Sequence, residues 1–303
     1  MAPRPHILVV NGRKVRQPVF VIGAPYSGAD LVARALKQSA GMHLTIGQRS
    51  VVSVAYAFAR SPSIQRGRSE AAATVVRDAL AQAWQVSSHS CLECSAACRA
   101  AGGVDGAGTC VTEREITRYG DASPDLMYCA EILVDAFGDA RLIQLVRDGR
   151  DVVAAMLADP QTAGWFRREE ASLGSEFPHP FLGIETQADL AAWPKLSLAG
   201  KCAMRWRGAV RKMARLRGSM RAEQLTTLRY EEMARRPESA AGAVSAFVGD
   251  DVGPVRLAAH RRGLAGAGPG FEVGSWRRAL TPAQLSDVER AAGEDLRRVG
   301  YGS

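Results

Sequence analysis

The sequence predicts an α/β fold in which helices flank a central parallel sheet. Three short runs of mainly aliphatic and β-branched residues have the profile of buried strands: Val19–Gly23, Asp139–Val146 and Leu225–Tyr230. Helical patterns alternate with these runs, which is typical of a parallel sheet. The chain has 303 residues, of which 47% are hydrophobic. We therefore expect a single domain over residues 1–303.

The first strand leads directly into a turn and a helix. Val19–Gly23 ends in glycine, the loop Ala24–Gly28 follows, and an apolar helical face begins at Leu31. The second strand is followed by the helix Val152–Leu157.

The other predicted helices are Glu70–Val86, Lys201–Leu216, Pro237–Val248 and Thr281–Arg298. Thr281 is suited to cap the last of them because proline follows at the first helical position. Two stretches rich in proline or glycine, Gly174–Pro194 and Gly263–Gly270, are predicted loops.

The protein is basic, with a formal net charge of +8 and a pI of about 9.5. The arginines are spread along the chain instead of forming a tract, and aromatic residues make up only 6% of it. This distribution argues against a nucleic-acid partner. A small anionic ligand, or a GC-rich genome that favours Ala, Arg and Gly, explains the balance equally well.

No targeting or membrane segment is evident. The first apolar run, Ile7–Val10, has only four residues and ends in an Asn-Gly turn, unlike a signal peptide. No uncharged stretch approaches the length of about 18 residues that a membrane helix needs. Both observations predict a cytoplasmic protein without a membrane partner; the oligomeric state is not predicted.

Four segments, in chain order, resemble the nucleotide-dependent sulfotransferases: VFVIGAPYSGADLVARAL, ARLIQLVRDGRDVVAAM, LTTLRYEEMARRPESAAGAVSAFVG and VGSWRRALTPAQLSDVERAAGEDLRRVGY. They run from about Val19 to Tyr301. The resemblance implies a P-loop-like fold that binds 3′-phosphoadenosine 5′-phosphosulfate (PAPS). It also implies transfer of the sulfuryl group to a hydroxyl or amine of a small-molecule acceptor, without a metal.

The resemblance also assigns donor-binding residues. Tyr26, Ser27, Gly28, Ala29 and Asp30 match the loop that holds the 5′-phosphosulfate. A plain tight turn is a compatible interpretation of this loop.

Arg147 matches the 3′-phosphate ligand, and Trp276 with Arg277 matches the loop that closes over the nucleotide. The alternatives are an ion pair between Arg147 and Asp148 or Asp151, and a core tryptophan followed by a surface arginine. Arg229, Tyr230 and Glu231 are expected to serve the sheet and the helix after it, and not the chemistry.

The loop departs from the family pattern, which reads P-[K/R]-S-G-[T/S]-T. Tyr26 replaces the cation, and Ala29 and Asp30 replace both hydroxyls. The Ser27–Asp30 spacing predicts a capping box, in which Asp30 repels a bound phosphate. Two unit charges at about 4 Å repel by about 4 kcal/mol at an effective dielectric of 20. The cations that can compensate are Arg34, Arg49 and Lys201.

The proton acceptor is also altered. The best match to the catalytic glutamate of the tyrosyl-type branch is Gln48, which cannot accept a proton. His43 and Glu113 are possible replacements, without a motif behind either. The family serine eight residues after the 3′-phosphate arginine is Ala155 here.

Residues 87–112 form a predicted Cys-rich insert. Cys91, Cys94, Cys98 and Cys110 follow the spacing C-x2-C-x3-C-x11-C. Without a secretory signal, four thiolates in a loop poor in apolar residues suit structural Zn²⁺. An iron–sulfur cluster and free or oxidised thiols remain open. The other two cysteines, Cys129 and Cys202, are predicted to be ordinary buried residues.

Two functions are therefore compatible with the sequence. The first is a PAPS-dependent sulfotransferase with a rearranged centre. The second is a catalytically altered or inactive protein of the same fold that binds another nucleotide, or binds a protein partner through the Cys-rich insert.

Overall fold

The computed structural model describes residues 7–37, 39–64, 69–86, 96–104, 110–111, 113–170, 173, 176–249 and 272–302. Its strands are β1 (Val9–Val10), β2 (Arg13–Lys14), β3 (Val19–Gly23), β4 (Met42–Thr45), β5 (Arg118–Asp121), β6 (Arg141–Val146) and β7 (Leu225–Arg229).

The helices up to residue 170 are α1 (Ala29–Lys37), α2 (Arg49–Arg60), α3 (Ser69–Ala83), α4 (Ala96–Gly102), α5 (Ala130–Ala136), α6 (Gly149–Ala158) and α7 (Thr162–Glu170). The later helices are α8 (Gln187–Ala192), α9 (Leu198–Ser219), α10 (Tyr230–Arg235), α11 (Pro237–Val248), α12 (Trp276–Ala279) and α13 (Pro282–Arg298). α8 lies within the stretch Gly174–Pro194 that was predicted as a loop. None of these helices is long and apolar enough to cross a membrane.

Five strands form the central sheet in the order β4-β5-β3-β6-β7, and every neighbouring pair is parallel. The predicted fold class is therefore confirmed. Because all five strands run the same way, their carboxyl ends meet at one edge of the sheet. The residues that follow β3, β6 and β7 along the chain are consequently brought together there.

The side chains of β3 divide the core into two parts. Phe20 and Ile22 pack on one face of the sheet, where Phe20 lies 6.3 Å from the ring of Trp84. Val19 and Val21 pack on the other face, against α1 and α11. This alternation follows from the period of two in a strand, and it explains why β3 reads as a continuous apolar run.

Two strands of the sheet were not predicted. β4 has the sequence MHLT and β5 has the sequence RYGD, and both carry polar residues that hide the strand pattern. Their burial comes from helices on both faces of the sheet, which overrides local preference. The linker Gly263–Gly270 and residues 87–95, 105–109 and 112 of the predicted insert 87–112 lie outside the described residues.

A buried hydrogen-bond network joins the C-terminus to the sheet. The Tyr301 hydroxyl donates to Glu231 over 2.6 Å, and the other carboxylate oxygen of Glu231 accepts from the backbone N–H of Asp148 over 2.9 Å. Asp148 caps α6, and Arg150 donates to the Tyr301 carbonyl over 3.0 Å. The start of α6 is thereby held against Glu231, at the start of α10, and against Tyr301.

We expect Tyr301→Phe to lower the free energy of unfolding by about 2 kcal/mol, because a buried hydrogen bond to a charged group is lost. Chemical denaturation measures this change. A cycle with Glu231→Gln is the control, since the two substitutions should be less than additive if they remove one shared contact. Fully additive losses would contradict the network.

Candidate functional site

The candidate site lies at the carboxyl edge of the sheet, where open α/β sheets bind their ligands. The loop Ala24–Gly28 joins β3 to α1, Arg147 follows β6, and Tyr230 follows β7. Since β3, β6 and β7 are neighbours, these three features are in contact.

Position 28 requires glycine, both for its backbone conformation and for the space around it. Its φ of +95° falls in the left-handed region that favours glycine. A Cβ at this position would lie 2.5 Å from a ring carbon of Tyr230, closer than any side chain tolerates. The loop therefore rests directly on the Tyr230 ring. The sequence prediction assigned Tyr230 to the sheet and missed this contact.

Arg147 ties the loop to the sheet. It is buried, its Nη1 donates to the Tyr26 carbonyl over 3.0 Å, and its guanidinium stacks 4.1 Å from the centre of the Tyr230 ring. Asp148 pairs with Arg150 instead, and Asp151 binds the C-terminal segment. The alternative prediction, an ion pair of Arg147 with either aspartate, does not match these contacts.

The predicted capping box is wrong. Ser27 Oγ is buried and has no hydrogen-bond partner within the described part of the chain. The Leu31 N–H donates to the Gly28 carbonyl over 3.1 Å, and the backbone N–H groups of Asp30 and Leu31, at the start of α1, act to lower the pKa of the Asp30 carboxylate. The helix N-terminus therefore stabilises this carboxylate without a contact to Ser27.

The charge of Asp30 is partly balanced. Arg34 lies one turn further along α1, with its Nε 3.9 Å from the Asp30 carboxylate. Burial raises the pKa of Asp30, while Arg34, the backbone N–H groups and Arg147 act to lower it. The side chain remains 41% exposed, so solvent also weakens its repulsion of an anion.

Tyr26 brings no positive charge to the loop. It has a φ of +60°, and its hydroxyl donates a hydrogen bond to Asp159, at the end of α6. Burial and then this hydrogen bond raise the pKa of Tyr26 well above its ordinary value. The side chain is consequently a neutral hydrogen-bond donor at physiological pH.

The three cations that were predicted to compensate for the missing loop cation lie in three different environments. Arg34 faces Asp30, and Arg49 is exposed at the start of α2. Lys201 forms an ion pair with Glu170 and lies over the ring of Trp193. One turn beyond it on α9, Arg205 is buried and close enough to Tyr26 for its charge to act on the pKa of that residue. The sequence prediction did not select Arg205.

The C-terminal segment is fixed to α6 by Asp151. Its carboxylate accepts from the backbone N–H groups of Gly274 and Trp276, at 2.8 and 2.9 Å, and from the Ser275 hydroxyl at 3.1 Å. The segment is therefore held close to the residue after β6. This role of Asp151 was not predicted.

Trp276 is half-buried, so it is not a core tryptophan. The guanidinium groups of Arg150 and Arg277 lie 4.3 and 4.5 Å from its ring centre. Arg277 itself is exposed.

Gln48 lies at the carboxyl end of β4 and precedes α2. It is 1% exposed, and its Nε2 has no partner among the residues that the structure covers. The preceding residue, Gly47, donates its N–H to the Ser123 hydroxyl over 3.1 Å, and the Ser123 N–H donates to Asp121. Burial raises the pKa of Asp121 to about 6. This network ties the segment before α2 to β5.

His43 is not brought to the loop. It is the second residue of β4, at the sheet edge away from β3, and it is fully buried against the Tyr119 ring. Burial lowers the pKa of His43. Ala155, which stands where the family has serine, is buried in α6. The side chain of Glu113, the other possible base, is not among those that the structure describes.

The Cys-rich segment is described only in part. Cys91 and Cys94 lie outside the described residues. Cys98 and Cys110 are not disulfide-bonded, and both lie beside the ammonium group of Lys37. Although burial acts to lower the pKa of Lys37, the two thiols raise it.

Within the described ranges, no group of three or more His, Cys, Asp or Glu residues can hold a metal ion. The zinc prediction is therefore not supported by these residues. Cys129 and Cys202 are buried and free, as predicted.

Several solved structures are similar to this chain. One is a sulfotransferase from Alicyclobacillus acidocaldarius, with 17% identity, a TM-score of 0.45 and 94% of each chain covered. Another is the sulfotransferase domain of the Synechococcus PCC 7002 olefin synthase, with 15% identity, a TM-score of 0.44, and 92% of this chain and 95% of that one covered. Mouse sulfotransferase SULT7A1 complexed with PAP has 16% identity, a TM-score of 0.48, and coverage of 97% and 88%.

The family assignment does not depend on these distant likenesses. No curated protein matches the sequence. A family model described as "Sulfotransferase family" matches residues 18–252, well over half of the chain. The matched region begins just before β3 and includes the loop, Arg147 and Tyr230. The chain therefore belongs to the sulfotransferase family.

Proposed function

We propose that this protein transfers a sulfuryl group from PAPS to a hydroxyl or amine of a small-molecule acceptor. The donor would lie at the carboxyl edge of the sheet, with its 5′ end on the loop Ala24–Gly28 and the start of α1. Backbone N–H groups at a helix N-terminus are suited to a phosphate. Arg147 would bind the 3′-phosphate, and Trp276 with Arg277 would cover the nucleotide.

The observation that carries this proposal is a pair of unpartnered polar atoms where Arg147 contacts the loop. The Nε of Arg147 and the Oγ of Ser27 are both buried without a hydrogen-bond partner in the described residues. Buried polar atoms are rarely left in this state, so an absent ligand is a physical reason for it. A phosphate oxygen accepts from both kinds of donor.

The reaction needs few parts. PAPS supplies the sulfuryl group; its bond to the bridging oxygen breaks while sulfur bonds to the acceptor atom, and 3′-phosphoadenosine 5′-phosphate (PAP) leaves. The acceptor proton must pass to a base. Asp159 is a better candidate for this base than His43, because Asp159 contacts the loop directly through Tyr26.

A second function is favoured by the altered loop. Asp30 places a carboxylate in the first turn of α1, near the N–H groups that the 5′-phosphate would use, and Tyr26 is neutral. These features handicap PAPS binding but do not affect a protein that binds another nucleotide or a partner. The two functions differ in whether PAP binds.

We expect the protein to bind PAP with micromolar affinity, and Arg147→Ala to remove this binding, because a charged phosphate contact is lost. Titration calorimetry measures both. Arg141→Ala is the matched control, since Arg141 begins the same strand at the opposite edge of the sheet and contacts the Phe247 carbonyl.

Arg147→Lys is a second variant for the case that the alanine variant misfolds. It keeps the positive charge but loses the planar guanidinium that binds phosphate through two nitrogens, so its PAP affinity should also fall. Absence of PAP binding at millimolar concentration in the wild-type protein would favour the second function. Equal losses in the Arg147 and Arg141 variants would contradict the assigned phosphate ligand.

Under the proposed function, Tyr26→Arg combined with Asp30→Thr should raise PAP affinity about tenfold or more, because a repulsive charge is replaced by an attractive one near the surface. Asp30→Asn alone separates the charge effect from the new cation. The same titration measures both variants and the wild-type protein. Unchanged affinity in the double variant would indicate that the loop no longer faces a phosphate.

A further inference from the structure

Arg205 is a buried cation whose hydrogen-bonding capacity is mostly unused. It lies on α9 and is 2% exposed. Its Nη2 forms an ion pair with Asp125 at 2.7 Å. Its Nε and Nη1 are buried, and neither has a partner among the described residues. A guanidinium has five N–H donors, so one carboxylate oxygen leaves most of them available for an anion.

Two aromatic rings hold the guanidinium in place. The Phe181 ring centre lies 3.7 Å from the Arg205 Cζ, and the Trp165 ring centre lies 5.0 Å from it. Such stacking keeps the planar group in one orientation. Asp125, which has a φ of +62°, follows the carboxyl end of β5 and anchors the group from the sheet side.

Hydrogen bonds connect this part of α9 to the loop: Trp206, the residue after Arg205, donates its Nε1–H to the Arg147 carbonyl over 3.1 Å, and Arg147 donates to the Tyr26 carbonyl. The charge of Arg205 acts on the Tyr26 side chain and opposes the effect of burial there. Cys202, three residues earlier on α9, acts on the same side chain. Residues three apart on a helix share a face, so Cys202 and Arg205 lie on the same face of α9. Tyr26 occupies the place where the family pattern has a cation.

The charged groups nearby do not neutralise Arg205 completely. Asp125 forms an ion pair with one nitrogen of Arg205. Asp159 already accepts hydrogen bonds from the Tyr26 hydroxyl and the Gln161 N–H. Burying a charge is costly unless it is well paired. A second anion at this point would complete its coordination.

We propose that Arg205 binds the sulfuryl group of the donor and thereby replaces the loop cation that Tyr26 has displaced. This inference rests on the proposed function. The free Nε and Nη1 donate to sulfuryl oxygens, where donors stabilise the charge that builds up during transfer. PAP has the same nucleotide but no sulfuryl group, so the two ligands isolate this contact.

The test compares PAPS and PAP affinity in Arg205→Lys and Arg205→Met. PAP affinity is measured by titration calorimetry, and PAPS affinity by displacement of bound PAP at low temperature. We expect PAPS affinity to fall about tenfold to a hundredfold, as for loss of charge-assisted hydrogen bonds, while PAP affinity stays within about twofold. The effect in the lysine variant should be smaller, because the charge remains.

Arg207→Lys is the matched control. Arg207 is two residues away on the same helix, is largely buried, and pairs with Asp189 at 2.6 Å. It should leave the ratio of PAPS to PAP affinity unchanged. Thermal unfolding of each variant verifies that it is folded.

The outcomes separate the two proposals. If the wild-type protein binds neither nucleotide, the proposed function fails and the role of Arg205 fails with it. If the wild-type protein binds both, but the Arg205 variants lose PAPS and PAP affinity equally or lose neither, only the sulfuryl contact is overturned. An equal loss would identify Arg205 as a structural residue.

Discussion

The candidate site depends on one stack of side chains and backbone. The Tyr230 ring contacts both the guanidinium of Arg147 and Gly28 of the loop, and Arg147 also donates to the Tyr26 carbonyl. These contacts join the ends of β3, β6 and β7. Because they leave no room for a side chain at position 28, they determine the path of the loop and hence the direction in which α1 begins.

Charge at this edge is distributed differently from the family pattern. The loop itself contributes a neutral tyrosine and a carboxylate, and Arg34 balances that carboxylate only from a distance. Buried positive charge is supplied instead by two other elements. Arg147 follows β6, and we infer that Arg205 on α9 also serves the loop. Such a rearrangement keeps the electrostatics that an anionic donor needs while altering the residues that provide it.

Much of the fold was predictable because three central strands are apolar throughout. β3, β6 and β7 are close to the runs read from the sequence, and they carry the loop, Arg147 and Tyr230. β4 and β5 were not predictable, since their polar residues are buried by tertiary packing. The placement of Arg147 beside the loop followed from strand order, but its stacking on Tyr230 did not.

The errors at the site have local causes. Because α1 begins at Ala29, Ser27 lies one residue before the N-cap position, so the spacing of Ser27 and Asp30 did not produce a capping box. His43 follows the strand pattern into the core instead of reaching the edge. Lys201 and Arg205 are one helical turn apart, and only tertiary contacts show that the first is paired and the second is partly free.

The central claim is that the carboxyl edge remains a nucleotide site despite its altered loop. Hydrogen–deuterium exchange with and without saturating PAP tests this most directly. We expect slower exchange at residues 24–31 and 272–278, the loop with the start of α1 and the segment held by Asp151. Exchange in α3, which packs against α2 and α5, should not change. Unchanged exchange at residues 24–31, or protection confined to other parts of the chain, would contradict the claim.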